Sequence, residues 1–238
     1  NLFMNTVRTI LHNVGKCISD YSMISEGDRI LVCFSGGKDS FVLLDALEKL
    51  RNKAPIKFEI FVLCINPNFK KQDYTEMKNF LEKNKYNYEI LDTRISKVME
   101  QKKSKNPCSL CSRLRRGVIY NYAQKNNFNK IALGHNLDDA IETFLINLFY
   151  SNKLQFMRPL YKTEYKNFII RPLIYCNEEL VQMYCDKLNY VPFKQYCPLK
   201  EEDSTRLFIR ELIKKNKQKN PKIYLSFLNA MKSKINCL

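Results

Sequence analysis

The sequence contains little that would place it in a membrane or outside the cell. None of its apolar runs reaches the roughly 20 residues that a membrane-spanning helix needs. Its first residues show neither the apolar core nor the small-residue cleavage site of a signal peptide. We therefore expect a cytoplasmic protein that has no membrane partner.

Histidines and closely spaced cysteine pairs are also scarce. The 238 residues include two histidines and nine cysteines, and Cys108 and Cys111 form the only Cys-x-x-Cys pair. A structural zinc site usually takes four ligands from two such pairs, so this composition does not favour one. Without secretion signals, the cysteines also argue against a disulfide framework. We expect them to be metal ligands or small buried hydrophobic residues.

Two familiar nucleotide-binding motifs, the Walker A loop and the dinucleotide fingerprint, are absent. In their place residues 35–40 read Ser-Gly-Gly-Lys-Asp-Ser, between the apolar run 30–34 and the helical pattern of 41–47. Two glycines let the backbone approach an anion, which the N-terminus of the following helix attracts. Lys38 adds a positive charge, and Asp39 is placed to hold a metal ion that bridges phosphate oxygens. Residues 35–40, called the phosphate loop below, therefore predict a polyphosphate site.

Apolar strands alternate with helical segments along most of the chain. The predicted strands are residues 30–34, 58–65, 88–91, 130–134 and 168–170. The predicted helices are residues 4–24, 73–85, 111–126 and 138–151, with a charged helical region from about residue 177. This alternation predicts an α/β fold with a parallel sheet covered by helices on both faces. We expect an N-terminal helix in residues 1–27, a nucleotide-binding domain in residues 28–176 and a C-terminal helical subdomain in residues 177–238.

In parallel sheets, ligands bind at the carboxyl ends of the strands, where the phosphate loop and the Gly134-His135 pair both lie. We therefore expect Gly134 and His135 to share the site of the phosphate loop. His135 can contact a nucleotide there or satisfy a backbone carbonyl. Asp138 and Asp139 follow at a predicted helix start, where a carboxylate can cap the helix or bind magnesium. Asp39 and Asp139 are the stronger magnesium candidates.

The Cys108 and Cys111 pair has three interpretations: buried packing, a redox pair or a metal site. A Lys-rich approach and an Arg-rich exit favour the metal site. Cys197, which lies in a loop with a proline, is the best third ligand. Three cysteinates can hold a 4Fe–4S cluster and leave one iron without a protein ligand. Of the other cysteines, three lie in apolar runs and are expected in the core, namely Cys17, Cys33 and Cys64. Those left undecided are Cys176, Cys185 and Cys237.

Taken together, these motifs resemble the tRNA 2-thiocytidine synthetase family of PP-loop ATP pyrophosphatases. The matching segments are the phosphate loop, residues 108–117, residues 134–139 and Arg171-Pro172-Leu173. They occur in family order between about residues 29 and 200 and cover most of the chain. Two positions depart from the family pattern. Members often have a second Cys-x-x-Cys where this chain has only Cys197, and often a second histidine where Asn136 stands.

The resemblance implies an ATP-dependent tRNA sulfurtransferase. Such an enzyme adenylates a base oxygen in the anticodon loop, that of cytidine 32, with release of pyrophosphate, and then replaces the oxygen with sulfur to give 2-thiocytidine. The implied cofactors are ATP, Mg²⁺ and a 4Fe–4S cluster on Cys108, Cys111 and Cys197. The implied partners are tRNA, a sulfur donor such as a cysteine desulfurase or sulfide, and a second copy of the chain in a homodimer.

We assign roles to the individual site residues on this basis. The ATP-binding residues are Ser35, Gly36, Gly37, Lys38, Asp39, Ser40, Gly134 and His135. The catalytic residues are Lys38, Asp39 and Asp139, and the two aspartates bind magnesium. Arg113, Arg115 and Arg116 bind tRNA phosphates or form a solvated helix face. The net charge of +16 agrees with a polyanionic partner.

Two other functions compete with this one. In a non-thiolating PP-loop enzyme such as a tRNA lysidine synthetase, an amine attacks the adenylated base, and that chemistry needs no Cys108–Cys111 pair. A catalytically idle RNA-binding module with a zinc clip has no need for Lys38 and Asp39. Pyrophosphate release separates the idle module from the enzymes, and cluster content separates the two enzymes.

Overall fold

A six-stranded sheet forms the centre of the computed structural model, which describes residues 2–69, 73–102, 104, 107–193, 197 and 204–235. The strands are β1 (Arg29–Cys33), β2 (Glu59–Asn66), β3 (Tyr88–Asp92), β4 (Lys130–Ala132), β5 (Leu160–Lys162) and β6 (Phe168–Ile170). The α-helices are α1 (Leu2–Asp20), α2 (Lys38–Arg51), α3 (Thr75–Lys83), α4 (Ile95–Lys102), α5 (Pro107–Lys125), α6 (Leu137–Tyr150), α7 (Glu178–Lys187), α8 (Ser204–Lys219) and α9 (Ile223–Ile235).

The strands lie in the order β3-β2-β1-β4-β6-β5. In the central pairings, Leu31 of β1 is opposite Phe61 of β2 on one side and Ile131 of β4 on the other. Every pair is parallel except β5 with β6, which is antiparallel. The predicted α/β fold with a mainly parallel sheet is therefore confirmed. The sequence does not predict β5, because Leu-Tyr-Lys lacks the continuous apolar run that identifies the equally short β6.

Helices cover both faces of the sheet, as the side chains of β1 show. Ile30 and Val32 belong to the core that the sheet shares with α1, α2 and α7. Leu31 points to the opposite face, where it packs in a cluster with Ile119 of α5. All three β1 side chains are fully buried. This burial on both faces explains why β1 is an unbroken apolar run rather than an alternating one.

The chain turns in opposite directions after β1 and after β4. From β1 it continues to β2 on one side of the sheet, and from β4 it continues towards β6 and β5 on the other. Such a reversal between adjacent parallel strands opens a crevice at their carboxyl ends. The phosphate loop follows β1 and the Gly134-His135 pair follows β4, so the topology places both at this crevice.

The largest differences from the sequence-predicted helices are two boundaries and one additional helix. α5 begins at Pro107 rather than at residue 111, because proline suits the first helical turn, where its missing N–H has no helical partner to lose. The Lys-rich segment before α5 forms a further helix, α4, which buries Ile95 and Met99 one turn apart. α1 ends at Asp20 rather than at residue 24. Among the helices of the described ranges, none is both long and apolar enough to cross a membrane.

The C-terminal helices pack against the earlier part of the chain. α7 contacts α1 and α2, while α8 and α9 contact α6. The carboxylate of Glu142 on α6 is almost fully buried and pairs with Arg206 and Arg210 of α8. These ion pairs fix α8 on α6. The division of the chain into three parts at residues 27 and 176 stays a prediction.

All the cysteines in the described part of the chain are free thiols. The ones buried in the main core are Cys17, Cys64, Cys176 and Cys185. Cys33 is half-buried at the end of β1. Burial of this kind suits a packing role, as expected for Cys17 and Cys64. Cys237 lies outside the described residues.

We predict that Leu44→Ala lowers the free energy of unfolding by about 2–5 kcal/mol, because its fully buried side chain on α2 would leave a cavity. Denaturant unfolding of the purified protein measures the loss. Leu225→Ala is the matched control, since this leucine is 55% exposed on α9 and should change stability by less than about 0.5 kcal/mol. Equal losses in the two variants would contradict the assignment of the core.

Candidate functional site

The carboxyl ends of β1 and β4 open onto a cavity of about 760 Å³, called the strand-end cavity below. It brings together the phosphate loop, the cysteines and the arginine-rich part of α5. The predicted site residues that line it are Ser35, Gly37, Asp39, Ser40, Cys108, Cys111, Arg115, Arg116, Gly134, His135 and Cys197. The predicted site residues that are not part of its lining are Gly36, Lys38, Arg113 and Asp139.

The phosphate loop is held by its own two serines. The Ser40 hydroxyl accepts a hydrogen bond from the Ser35 backbone N–H at 3.2 Å and donates to the Gly37 carbonyl at 2.9 Å. The Gly37 N–H donates to the Ser35 hydroxyl at 3.3 Å. Gly37 is also the N-cap of α2 and has no side chain with which to cap it. The first N–H groups of α2 are therefore left for an anionic ligand.

Gly36 is held from outside the loop. Its carbonyl accepts hydrogen bonds from the Tyr190 hydroxyl at 2.8 Å and from the Phe193 backbone N–H at 3.0 Å. Its φ is +77°, and a Cβ atom would lie 2.7 Å from Cε of Met77 and 2.9 Å from Cδ2 of Phe193. Only glycine fits this position without strain. The segment after α7 therefore fixes the shape of the phosphate loop.

Lys38 forms ion pairs on both sides. Its Nζ lies 3.0 Å from Oδ2 of Asp39 and 3.1 Å from Oε1 of Glu178, at the start of α7. Burial lowers the pKa of Lys38, but the two carboxylates outweigh it and raise the pKa overall. Lys38 is thus a permanent cation within the phosphate loop. A phosphate group that approaches it competes with the Glu178 carboxylate for the Lys38 ammonium group.

Asn136 joins the two aspartates that we assigned to magnesium. Its Nδ2 donates to Oδ1 of Asp39 at 2.8 Å, and its Oδ1 accepts from the Asp139 backbone N–H at 3.1 Å. Oδ2 of Asp139 accepts from the Asn136 backbone N–H at 3.0 Å, which completes a capping box at the start of α6. Asp139 therefore caps the helix and also lies near Asp39.

Asp138 and Asp139, which are adjacent at the start of α6, have different environments. Burial, with the charges of Asp39 and Glu142, raises the pKa of Asp139 to about 6. The charge of Lys38 and the hydrogen bond from the Asn136 backbone N–H act in the opposite direction, but burial outweighs them. Asp138 instead accepts hydrogen bonds from the Glu178 backbone N–H and the Tyr224 hydroxyl. Asp138 thus ties α6 to α7 and α9.

The cysteine pair lies on the first turns of α5, and its spacing continues along one face of the helix. Cys108, Cys111 and Arg115 are three and four residues apart, which places them on the same side. All three line the strand-end cavity, and Arg116 borders it. Arg113 falls on another side and is exposed. The helical spacing by itself would have predicted that Arg113 lies on a different side of α5 from Arg115 and Arg116.

Burial is the main cause of the raised pKa of Cys111. Cys108 and Cys197 also raise this pKa, which shows that the three cysteines lie close together. The charge of Arg115 acts in the opposite direction and lowers the pKa of Cys111. Arg115 Nε is buried, and nothing in the described part of the chain hydrogen-bonds to it. An anionic group between the cysteines and Arg115 would satisfy this N–H.

These donors fit a cluster better than a single ion. Within the described ranges, no three Cys, His, Asp or Glu side chains are grouped tightly enough to hold one metal ion. A structural zinc ion needs four such ligands at bonding distance. The cysteines of an iron–sulfur cluster bind different irons, so they surround a larger volume, as around the strand-end cavity.

His135 has a partner that the sequence does not predict. Its Nδ1 accepts a hydrogen bond from Nε of Arg171 at 3.1 Å, rather than the ring donating to a backbone carbonyl. Burial, followed by the charges of Arg171 and Arg206, lowers the pKa of His135 to about 4. The ring is therefore neutral over the physiological pH range.

Three polar residues that shape the site, two in the cavity lining and one beside it, had no role assigned from the sequence. Asn136 and Arg171 lie inside matched motifs, and Arg171 directly follows β6, so the strand-end rule that identified Gly134 would have found it too. Arg206 also lines the cavity. It lies far from every motif, and its ion pair with Glu142 links it to α6 beside the site.

Comparison with known proteins identifies the family of this chain. Residues 6–216 match the family model of the PP-loop domain, which defines the chain as a PP-loop protein. It is 42% identical to the tRNA-cytidine(32) 2-sulfurtransferase of Dichelobacter nodosus over 205 residues, which cover 84% of this chain and 76% of the relative. The protein of the same name from Coxiella burnetii is 37% identical, over 94% of this chain and 89% of the relative. The one from Legionella pneumophila is also 37% identical, over 95% of this chain and 81% of the relative. The chain belongs to the tRNA-cytidine(32) 2-sulfurtransferase family, as the motifs predicted.

Solved structures support the same fold. The U34-tRNA thiolase NcsA from Methanococcus maripaludis, described with its 4Fe–4S cluster, has a TM-score of 0.83 at 20% identity and covers 99% of this chain and 81% of that chain. The NH3-dependent NAD synthetase from Campylobacter jejuni has a TM-score of 0.52 at 14% identity, over 92% of this chain and 95% of that chain. Both likenesses concern the fold.

We predict that Asn136→Ser weakens magnesium-dependent ATP binding about tenfold while it preserves thermal stability. Serine still caps α6 but has no N–H₂ group to hold Asp39, and hydrogen bonds to charged groups contribute about 1.5–3 kcal/mol. Isothermal titration with ATP and Mg²⁺ measures the affinity. Asn136→Ala is the paired variant: it should show the same weakening and also lose about 1 kcal/mol of stability with the cap. Unchanged affinity in both variants would contradict a bridging role for Asn136.

We predict that Gly36→Ala reduces ATP affinity about tenfold or more, because a left-handed alanine costs about 1–2 kcal/mol and its Cβ displaces Phe193. Isothermal titration with ATP and Mg²⁺ measures this loss of affinity. Gly117→Ala on α5 is the matched control, since a Cβ there meets nothing within 4 Å and should stabilise the helix by about 0.5–1 kcal/mol. Normal ATP binding by Gly36→Ala would show that the loop tolerates a different shape.

Proposed function

We propose that this protein is an ATP-dependent tRNA sulfurtransferase that converts cytidine 32 of the anticodon loop to 2-thiocytidine. It is a transferase of the PP-loop type. The observation that carries the proposal is the convergence of the phosphate loop, Cys108, Cys111 and Cys197 on one cavity. Membership of the tRNA-cytidine(32) 2-sulfurtransferase family supplies the target base.

The first chemical step activates the base oxygen, which is otherwise a very poor leaving group. That oxygen attacks the α-phosphorus of ATP, a new P–O bond forms, and the bond to pyrophosphate breaks. Catalysis of such a step consists mainly of positioning and charge neutralisation. The phosphate loop binds the β- and γ-phosphates through its backbone, and Lys38 leaves Glu178 to neutralise them.

Asp39 and Asp139 are the residues that would hold magnesium, which would supply positive charge to the phosphates of ATP. Asn136 keeps the two carboxylates close, and repulsion from Asp39 adds to burial in raising the pKa of Asp139. A divalent cation removes this repulsion and binds carboxylate oxygens readily. Magnesium and ATP therefore complete one charge-balanced site.

Cys108, Cys111 and Cys197 are the residues that hold a 4Fe–4S cluster, and Arg115 offsets the charge of the cysteinates. A cluster with three protein ligands supplies an iron at which sulfur can be carried to the activated base. In the second step sulfur forms a bond to the base carbon, the C–O bond breaks, and AMP leaves with the oxygen. The sulfur comes from free sulfide or a cysteine desulfurase.

Transfer RNA reaches the cavity from the side of α5, where Arg115 and Arg116 line it and Arg113 extends the basic surface. A base must leave its stack to enter such a cavity, which costs less in an unpaired anticodon loop than in a helix. The net charge of +16 favours this partner. We further propose that the protein acts in the cytoplasm, where tRNA is its substrate, and forms a homodimer.

The two competing functions fit the cavity less well. An amide-forming enzyme such as a lysidine synthetase has no use for three cysteines beside the ATP site. An idle RNA-binding module has no use for the Asn136 bridge between two magnesium-type carboxylates. Neither function is favoured by the family of the relatives.

We predict about four irons and four sulfides per chain after anaerobic purification, both lost in Cys108→Ala. Iron and labile-sulfide assays with the visible spectrum measure the content. Cys17→Ala is the control, because this buried core cysteine lies away from the cavity and should leave the content unchanged. Stoichiometric zinc without iron would contradict the cluster assignment.

The activity itself is tested by mass spectrometry of tRNA after incubation with ATP, Mg²⁺ and sulfide. Two transcripts that differ only by cytidine or uridine at position 32 provide the matched substrates. Thiolation and pyrophosphate release with cytidine alone support the proposal. Pyrophosphate release without thiolation would indicate a non-thiolating PP-loop enzyme, and no release at all would indicate the idle module.

A further inference from the structure

We propose that Arg171 is a positioning residue that holds His135 in a single tautomer, so that His135 presents its Nε2–H as a hydrogen-bond donor to the α-phosphate of the nucleotide. This inference rests on the proposed function, because it needs a nucleotide in the strand-end cavity. It assigns a task to two residues that the reaction described above leaves unused.

The tautomer follows from the donor chemistry of Arg171. A guanidinium group carries only N–H donors, and its Nε lies 3.1 Å from Nδ1 of His135. Nδ1 must therefore supply a lone pair. A neutral imidazole has one N–H and one lone pair, so the proton is on Nε2.

Arg171 is fixed by its surroundings and cannot easily release His135. Its side chain is buried, and Nη1 donates to the Arg158 carbonyl at 2.5 Å. The guanidinium carbon lies 5.2 Å from the ring centroid of Tyr161, whose hydroxyl is 3.0 Å from that of Tyr120. Breaking these contacts would leave a buried cation without partners, which is costly. The Arg171–His135 bond is therefore a lasting feature of the fold.

The charges that face His135 keep it neutral. Arg171 and Arg206 are cations on two different elements, and with burial they oppose protonation, whereas Asp39 favours it but is outweighed. Nδ1 consequently does not become a donor in competition with Nε2. Among the described residues, none hydrogen-bonds to Nε2, and His135 lines the cavity.

The location of His135 relates the donor to phosphate. Gly134, the preceding residue, packs so closely on the phosphate loop that a Cβ would lie 3.1 Å from the backbone C and O of Asp39. His135 is thus beside the N-terminus of α2, where the nucleotide phosphates are proposed to bind. Negative charge on the α-phosphate oxygens is stabilised by a fixed donor both when the base oxygen attacks and when AMP leaves. His135 keeps its proton throughout.

Nitrogen-15 NMR of the 238-residue chain with labelled histidine tests the tautomer directly. The chain has two histidines, and His12 is exposed on α1, so His12→Gln assigns the remaining signals to His135. We expect a protonated Nε2 and an unprotonated Nδ1 in the unmodified protein. Arg171→Lys retains the charge but lacks Nε, and should give an averaged mixture of tautomers. A protonated Nδ1 in the unmodified protein would overturn the proposal, even if Arg171→Lys fails to fold.

Kinetics separates a donor from a purely structural residue. His135→Ala should lower kcat for pyrophosphate release roughly 10²-fold, with little change in KM for ATP. His135→Gln, whose amide N–H₂ can replace Nε2–H, should recover much of the lost kcat. Equal kcat values for the two variants would overturn the donor role. A failure of the unmodified protein to thiolate tRNA would instead count against the proposed function, because the tautomer measurement requires neither tRNA nor catalysis.

Discussion

The site depends on the hydrogen bond from the Asn136 side chain to Asp39. This bond connects the segment that follows β4 to the segment that follows β1. Asp39 belongs to the first turn of α2, whereas Asn136 caps α6. One amide therefore sets the distance between two helix N-termini, whose dipoles both point towards the crevice. Gly134 makes this approach possible, because any side chain there would meet the backbone of Asp39. The carboxylates, the phosphate loop and His135 all take their positions from this junction.

Charge is distributed around the cavity in two zones. Arg115, Arg116, Arg171 and Arg206 line the wall, while Asp39 and Asp139 lie at the junction of α2 and α6. Anionic groups, such as nucleotide, RNA or cysteinates, are attracted to the wall, and a cation is attracted to the junction. Arg171 is buried, so its charge acts more strongly than it would at the surface, whereas Arg116 and Arg206 are exposed. The buried ion pair between Glu142 and α8 contributes by keeping Arg206 at the wall.

The sequence was most informative where the chemistry is local. The phosphate loop is one unbroken segment, and the strand before it and the helix after it can be identified from hydrophobic pattern alone. The crevice followed from the rule for parallel sheets. The contacts of Asn136 with Asp39, of Lys38 with Glu178 and of His135 with Arg171 could not be predicted, because they join residues far apart in the chain. The early start of α5 at Pro107 was predictable from helix-start preferences and places Cys108 in the helix.

Tyr190 and Phe193 give the phosphate loop a thermodynamic connection to the cysteine site. They hold the Gly36 carbonyl, and Cys197 follows Phe193 by four positions in the sequence. Any ligand that fixes Cys197 also restricts the segment that shapes the loop. By the reciprocity of linked binding, occupancy of the cysteines and affinity for ATP must then influence each other by the same factor.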